Sequence, residues 1–197
     1  MAQTLAIVFG SVFISNIVLA QFLGICPFLG VSKDIKNAVG MGVSVMFVMI
    51  MSSVICMLAH ELLLVPFHLE YLKTITFILT IAALVQLVEM YLKKNVPSLY
   101  KAMGIYLPLI TTNCAILGIT ILNVQQFQVG GLGYKMYFTV INAFANSAGF
   151  LLAMVLMAGI RERLEEADLP ESMKGLPIVF IVASSMALAF VGFTGMI

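Results

Sequence analysis

Two segments of the chain begin with cysteine and then run alike. Cys26-Pro27-Phe28-Leu29-Gly30-Val31-Ser32 and Cys114-Ala115-Ile116-Leu117-Gly118-Ile119-Thr120 share Cys, Leu and Gly, pair similar residues at three further positions, and lie 88 residues apart. A thiolate is a soft metal ligand, and a 2Fe-2S or 4Fe-4S cluster takes four of them. Cys26 and Cys114 therefore make half of a ligand set, and a cluster held by them needs two more thiolates from a second chain. Zinc also accepts four thiolates, but a structural zinc has little use at the depth inferred below. A redox centre there has one, because it shortens the electron path between two faces. A disulfide is disfavoured by the buried setting. The third cysteine, Cys56, reads as a small apolar filler. No catalytic side chain is expected on this chain.

The elements that must position these thiols follow from composition. Of 197 residues, 62% are apolar and 10% charged, against about 45 to 50% and roughly 25% in a soluble domain. That excludes a Rossmann domain, a P-loop domain or any other water-exposed catalytic fold, and it leaves no nucleotide-binding site on the chain. The net charge of +1 gives nucleic acid no footing. Continuous apolar runs long enough to cross about 30 Å of hydrocarbon fall at Leu5 to Leu23, Ala38 to Leu58, Tyr71 to Leu92, Met103 to Leu122, Met136 to Ile160 and Leu176 to Ile197. They do not alternate, so they are helices and not barrel strands. The expected fold is an all-α integral membrane protein of six transmembrane helices in one membrane domain, residues 1–197.

Basic residues set the direction. With the N-terminus outside, the inner connections hold Lys33, Lys36, Lys93, Lys94, Lys101, Arg161, Arg163 and Lys174, and the outer ones only Lys73 and Lys135, which favours both termini outside. Arg161 to Lys174 reads as a solvated inner loop whose first turn extends the fifth helix. Gly130, Gly131 and Gly133 lack the GxGxxG spacing and a preceding strand, and read as turn glycines in the widest connection.

The cysteine repeat spans three crossings per half, an odd number, so the second half must enter upside down: inverted repeats of about 1–98 and 99–197. Asn37-Ala38 resembles Asn142-Ala143 at the heads of the second and fifth helices. Functional sites of inverted repeats lie near the midplane, at discontinuous helices. Gly24 and Pro27 permit the first helix to unwind around Cys26, and Pro27 suits the first turn of a new half-helix. The fourth helix is expected to be broken too, and Thr111, Thr112 and Asn113 put three polar side chains beside Cys114. Glu89 reads as an i,i+4 partner of Lys93. His60 and Glu61 read as solvated residues at an outer helix end, and Asn16, Asn142, Asn146 and Ser147 as interhelical hydrogen-bonding groups.

The segments QFLGICPFLGVSK (Gln21 to Lys33), TFILTIAALVQLVEM (Thr76 to Met90), GIYLPLITTNCAILG (Gly104 to Gly118) and AGIRERLEEADLP (Ala158 to Pro170) resemble the A-subunit family of the Rnf complex, also called Rsx. The resemblance covers essentially the whole chain. The E subunit of the sodium-pumping NADH:quinone oxidoreductase shares the pattern less closely. The resemblance implies a six-helix subunit of an ion-translocating ferredoxin:NAD+ oxidoreductase in the bacterial cytoplasmic membrane. It further implies a homologous E-type partner in inverted orientation and a 2Fe-2S cluster held by four cysteines, of which this chain contributes Cys26 and Cys114. Flavins, the nucleotide site and further iron-sulfur centres would belong to the B, C, D and G subunits. Two rivals remain open, because a small secondary transporter shares the inverted-repeat architecture and a structural anchor would carry inert cysteines.

Overall fold

The computed structural model describes residues 7–32, 34–67, 70–95, 113–127, 131–165, 170 and 175–192. Thr111, Thr112, Lys33, Lys101 and Lys174 lie outside the described residues. Among those described, all regular structure is helical. A π-turn, Gly10–Ile14, ends the first helical stretch; among the described residues, and apart from the three-residue turn Val65–Phe67, six α-helices follow: α1 (Ile25–Val31), α2 (Ile35–Ala59), α3 (Lys73–Asn95), α4 (Cys114–Gln126), α5 (Leu132–Glu165) and α6 (Leu176–Val191).

Helix α2 shows why these residues span. Ala38, Met41, Gly42, Val45, Val48, Met49, Ser52, Ser53, Cys56 and Met57 recur at helical spacing and are buried. The opposite side carries Val39, Val43, Phe47, Met51, Ile55 and Leu58, all exposed. A helix that is apolar on every side has no face for water, so its outer face belongs against lipid. With the π-turn His60–Leu64 the segment reaches Leu64, and it and Leu132–Leu164 are the two described helices long and apolar enough to cross a membrane. Lys73–Leu87, α4 and α6 are shorter apolar helices.

Between helices in lipid the hydrophobic effect gives little, and close backbone approach through small residues takes its place. Helix α2 lies against α5, and α4 packs on both. A β-carbon on Gly42 would run into the Leu151 side chain of α5. After α4 the chain turns through Phe127, which stacks on Phe138 of α5 at 5.7 Å between ring centres.

From Ser15 to Gly24 the chain is not helical, and in apolar surroundings its backbone groups need partners. Asn16, 1% exposed, supplies them. Its amide nitrogen donates to the carbonyl of Gly149 at 2.9 Å and of Val12 at 3.2 Å, and its oxygen accepts from the Val18 amide at 3.1 Å. The Ala20 amide donates to the Asn16 carbonyl and the Leu23 amide to that of Ile17. Gly149 admits this strand of chain, since a β-carbon there would stand 3.3 Å from Val12 Cα and 3.4 Å from the Ser11 carbonyl oxygen, both backbone atoms that cannot swing away. Gly149→Val should therefore destabilise the protein by about 2–3 kcal/mol, read as a lower melting midpoint in detergent; an unchanged midpoint would show that the two segments part easily.

Several expectations are corrected. Asn142-Ala143 does not head its helix: α5 starts at Leu132, so Gly133 lies inside its first turn and Asn142 well within the helix, whereas Asn37-Ala38 does lie in the first turn of α2. Glu61 is not solvated at a helix end but accepts from Lys135 Nζ at 2.7 Å, joining the π-turn after α2 to the start of α5. His60 is 6% exposed. Helix α5 does extend past Arg161, to Glu165.

Candidate metal centre

Two helices start at one place. Gly24 caps α1 with φ 83° and ψ 23°, in the left-handed region that glycine alone occupies without strain. Pro27 falls in the first turn that follows, where its missing N–H leaves no intrahelical bond unmade. Asn113 caps α4 from an extended conformation, its side-chain oxygen accepting from the Ala115 amide at 3.0 Å. Cys26 is thus the second residue of α1 and Cys114 the first of α4.

The two starts touch. The Gly24 amide donates to Cys114 Sγ at 2.9 Å across 90 residues of sequence. A β-carbon on Gly24 would lie 2.8 Å from Phe150 Cε2, 3.2 Å from Ala115 Cβ and 3.4 Å from Asn113 Oδ1, so the absent side chain is what lets α1 seat on α4 and α5. Cys26 follows Gly24 by two residues, which keeps its Cα within about 8 Å of the glycine that binds the other thiol. Cys26 is exposed and Cys114 half-buried, while Cys56 is buried in the core stripe of α2. The first two are therefore reachable from beyond the chain and the third is not.

The donor set fits an anionic, thiolate-held group. The N-terminal ends of α1 and α4 both meet there, and a helix N-terminus favours negative charge. One amide already reaches a sulfur, and Asn113 Nδ2 is a buried donor without a partner among the described residues. Among the described residues no three of His, Cys, Asp and Glu gather to hold a metal, so the chain by itself offers two thiols.

Arg161 anchors α1 from the far end. Its Nη1 donates to the Leu29 carbonyl and to Ser32 Oγ, both at 3.0 Å, from α5 to the last turn of the short helix. A cation at a helix C-terminus satisfies open carbonyls and opposes the dipole. The sequence alone places Arg161 only among the inner basic residues; its partners lie 129 and 132 residues away. Arg161→Ala should leave the Leu29 carbonyl open and speed amide exchange across Ile25–Val31 by roughly 10-fold, from the loss of about 1.5 kcal/mol of charged hydrogen bonding, as measured by hydrogen-exchange mass spectrometry. Equal exchange in both proteins would deny Arg161 this anchoring role.

Sequence reasoning singles out Cys26, Cys114, Gly24, Pro27 and Asn113, and the structure brings all five to the two helix starts. Sequence reasoning also names Asn16 as an interhelical hydrogen-bonding group, which its bond to the Gly149 carbonyl bears out, and it misses the sulfur-directed Gly24 amide.

Residues 4–197 match the family model described as Rnf-Nqr subunit, membrane protein. Among curated proteins, the chain is 53% identical over 190 residues, 96% of each chain, to the A subunit of the Na(+)-translocating ferredoxin:NAD(+) oxidoreductase complex of Acetobacterium woodii. It is 50% identical over 197 residues to the A subunit of the ion-translocating oxidoreductase complex of Syntrophotalea carbinolica, covering 100% of this chain and 99% of that one. With the equivalent, identically named protein from Vibrio vulnificus it shares 44% over the full length of both. With matches of this extent and identity, the chain belongs to the Rnf-Nqr subunit family of membrane proteins.

Proposed function

We propose that this chain is the A-type membrane subunit of an Rnf electron-transport complex, in which Cys26 and Cys114 hold half of a 2Fe-2S cluster. A homologous E-type subunit in opposite orientation supplies the other two thiolates, and the complex couples ferredoxin:NAD+ electron transfer to Na+ or H+ translocation. The observation that carries this reading is the hydrogen bond from the Gly24 amide to Cys114 Sγ. It ties together two helix starts, distant in sequence, that each present a cysteine outside the core.

The bound cluster would supply a one-electron relay inside the membrane. The residues of this chain do the rest. The two helix N-termini and the Gly24 amide turn the positive ends of their dipoles toward the negative charge of metal-bound sulfur. Asn113 fixes where α4 begins, and Arg161 fixes α1 from its other end. The reading includes six crossings as two inverted halves in the bacterial cytoplasmic membrane, with both termini outside and the B, C, D and G subunits as further partners. The two long apolar helices, the apolar outer face of α2 and the names of the relatives support it.

The test is iron and acid-labile sulfide analysis of the assembled complex, with electron paramagnetic resonance after reduction by ferredoxin. Two irons and two sulfides per A–E pair, beyond those of the other subunits, are expected. None would leave the transporter or the anchor reading in its place.

A further inference from the structure

A helix cap asks only for an oxygen. Ser, Asp and Asn serve about equally well in that place, and α1 starts on Gly24 with no side-chain cap at all. Asn113 caps α4 with its oxygen, which accepts from the Ala115 amide at 3.0 Å. A backbone N–H cannot accept, so this bond also fixes which end of the Asn113 side chain is oxygen and which is nitrogen. The nitrogen is the part that capping does not use. Asn113 is 4% exposed, and among the described residues its Nδ2 has no hydrogen-bond partner. A buried donor left open costs about 1–3 kcal/mol, a cost that Ser in the same place would avoid. The repeat does not demand the nitrogen either, because its offset sets Ile25 opposite Asn113.

A second buried amide is open on the same helix. Asn123 Nδ2 also lacks a partner among the described residues, while the Asn123 oxygen belongs to an amide network. In it Asn142 Nδ2 donates to Asn123 Oδ1 at 2.7 Å, and Asn146 Nδ2 and Ser11 Oγ donate to Asn142 Oδ1 at 3.0 and 3.1 Å. Asn123 lies roughly 13 Å along α4 from Cys114 at about 1.5 Å per residue, out of reach of its sulfur. Surroundings set Asn113 apart. It directly precedes Cys114, and its Oδ1 lies 3.4 Å from where a β-carbon on Gly24 would stand. Gly24 is the residue whose amide donates to Cys114 Sγ at 2.9 Å. An open side-chain amide, a sulfur-bound backbone amide and the Cys114 thiol thus meet between the two helix starts.

We infer that Asn113 Nδ2 is a hydrogen-bond donor to metal-bound sulfur at the proposed centre and, with the Gly24 amide, sets the potential at which that centre takes an electron. The inference rests on the function proposed above and adds a tuning residue to it. A thiol sulfur is a weak acceptor, whereas a charged acceptor makes a hydrogen bond roughly twice as strong, so the open nitrogen is matched to sulfur in its metal-bound, anionic form. Outer-shell donors orient metal ligands and tune the metal, and hydrogen bonds to cluster sulfurs are among the determinants of its potential. A donor stabilises the more negative, reduced state, so Asn113 holds the potential up.

The test uses the assembled complex. Asn113→Ser keeps a capping oxygen and removes the nitrogen; Asn113→Asp keeps the shape as well and takes its place where the serine variant fails to assemble. Unchanged amide exchange across the first turn of α4 identifies the variant whose cap has survived. Redox titration of its resonance signal should find the ratio of reduced to oxidised cluster at a fixed potential lowered roughly 5-fold or more, as for one lost hydrogen bond, which at about 59 mV per tenfold is roughly 40 mV. Asn123→Ser, which removes an equally buried amide from the same helix, should keep the wild-type midpoint. Asparagine carrying 15N in its side-chain amide should give the wild-type signal a weak nitrogen coupling in electron-nuclear double resonance, and the Asn113 variant should lose it. A wild-type midpoint in the Asn113 variant, an equal shift in Asn123→Ser, a coupling that persists in the Asn113 variant or none in the wild type would each overturn the inference and leave Asn113 as a cap alone. Absence of the cluster signal in the wild type would instead remove the proposed function, so the two failures are distinguishable.

Discussion

Replacing either Cys26 or Cys114 by alanine is expected to erase the two-iron signal of the assembled complex and to lower ferredoxin-dependent NAD+ reduction by roughly 100-fold or more. Removing an outer-shell partner of a metal ligand commonly costs 10- to 100-fold, and on the proposed function each change removes a ligand itself from a set of four. The two substitutions should be equivalent, although the thiols differ in exposure and in their place within the first turn. On the proposed ligation each takes away one of four ligands, and neither has a substitute among the described residues. Cys56→Ala is the matched control. Its thiol is buried in the core of α2, so the change opens a small cavity and costs about 1 kcal/mol of stability while signal and rate persist. Alkylation of the isolated chain in detergent gives an independent order: Cys26 first, Cys114 more slowly, Cys56 only after unfolding. A complex that keeps its signal and rate in both the Cys26 and Cys114 variants would end the ligand assignment.

How much of this is legible in the sequence depends on whether the cause is local. The break before Cys26 can be read because Gly24 and Pro27 carry their backbone preferences with them wherever they occur. The start of α4 is half-readable, since Asn before a helical run is a cap by type. The pairing of Cys26 with Cys114 follows from a repeat, which is long-range information written twice. Arg161 has no such second copy. Its charge near a helix end gives orientation, and nothing in the neighbouring sequence points to Leu29 and Ser32. Glu61 is assigned to water for the same reason, because its partner Lys135 lies 74 residues away. Helix α5 begins at Leu132, ahead of the expected Met136. Gly133 is a weak helix former, at a cost of about 1 kcal/mol, and the Lys135–Glu61 ion pair and the Tyr134–Phe138 ring contact hold this first turn. That shift carries Asn142 from an expected helix head into the interior, where it is the centre of the amide network.

The glycine that joins the two helix starts should be the most sensitive position after the thiols themselves. Gly24→Ala places a β-carbon on a left-handed residue, costing about 1–2 kcal/mol, and drives it against Phe150, Ala115 and the Asn113 oxygen that caps α4. Phe150 is fully buried, so its ring has little room to turn, and overpacking of this kind adds about 1–3 kcal/mol. The fold relieves both by lifting α1 off α4, which withdraws the Gly24 amide from Cys114 Sγ. Hydrogen bonds to cluster sulfurs stabilise the more negative, reduced state and so raise its potential. Loss of one such bond, worth about 1 kcal/mol, should lower that potential by roughly 40 mV for a one-electron couple. Gly30→Ala is the matched control, because it lies in the last turn of the same short helix with nothing within 4 Å of its added carbon and replaces a helical glycine by a better helix former. It should leave the potential unchanged and stabilise slightly. Redox titration of the resonance signal in the two variants separates a specific amide-to-sulfur contact from a general loosening of α1, since loosening without that contact would leave the Gly24→Ala midpoint where the wild type has it.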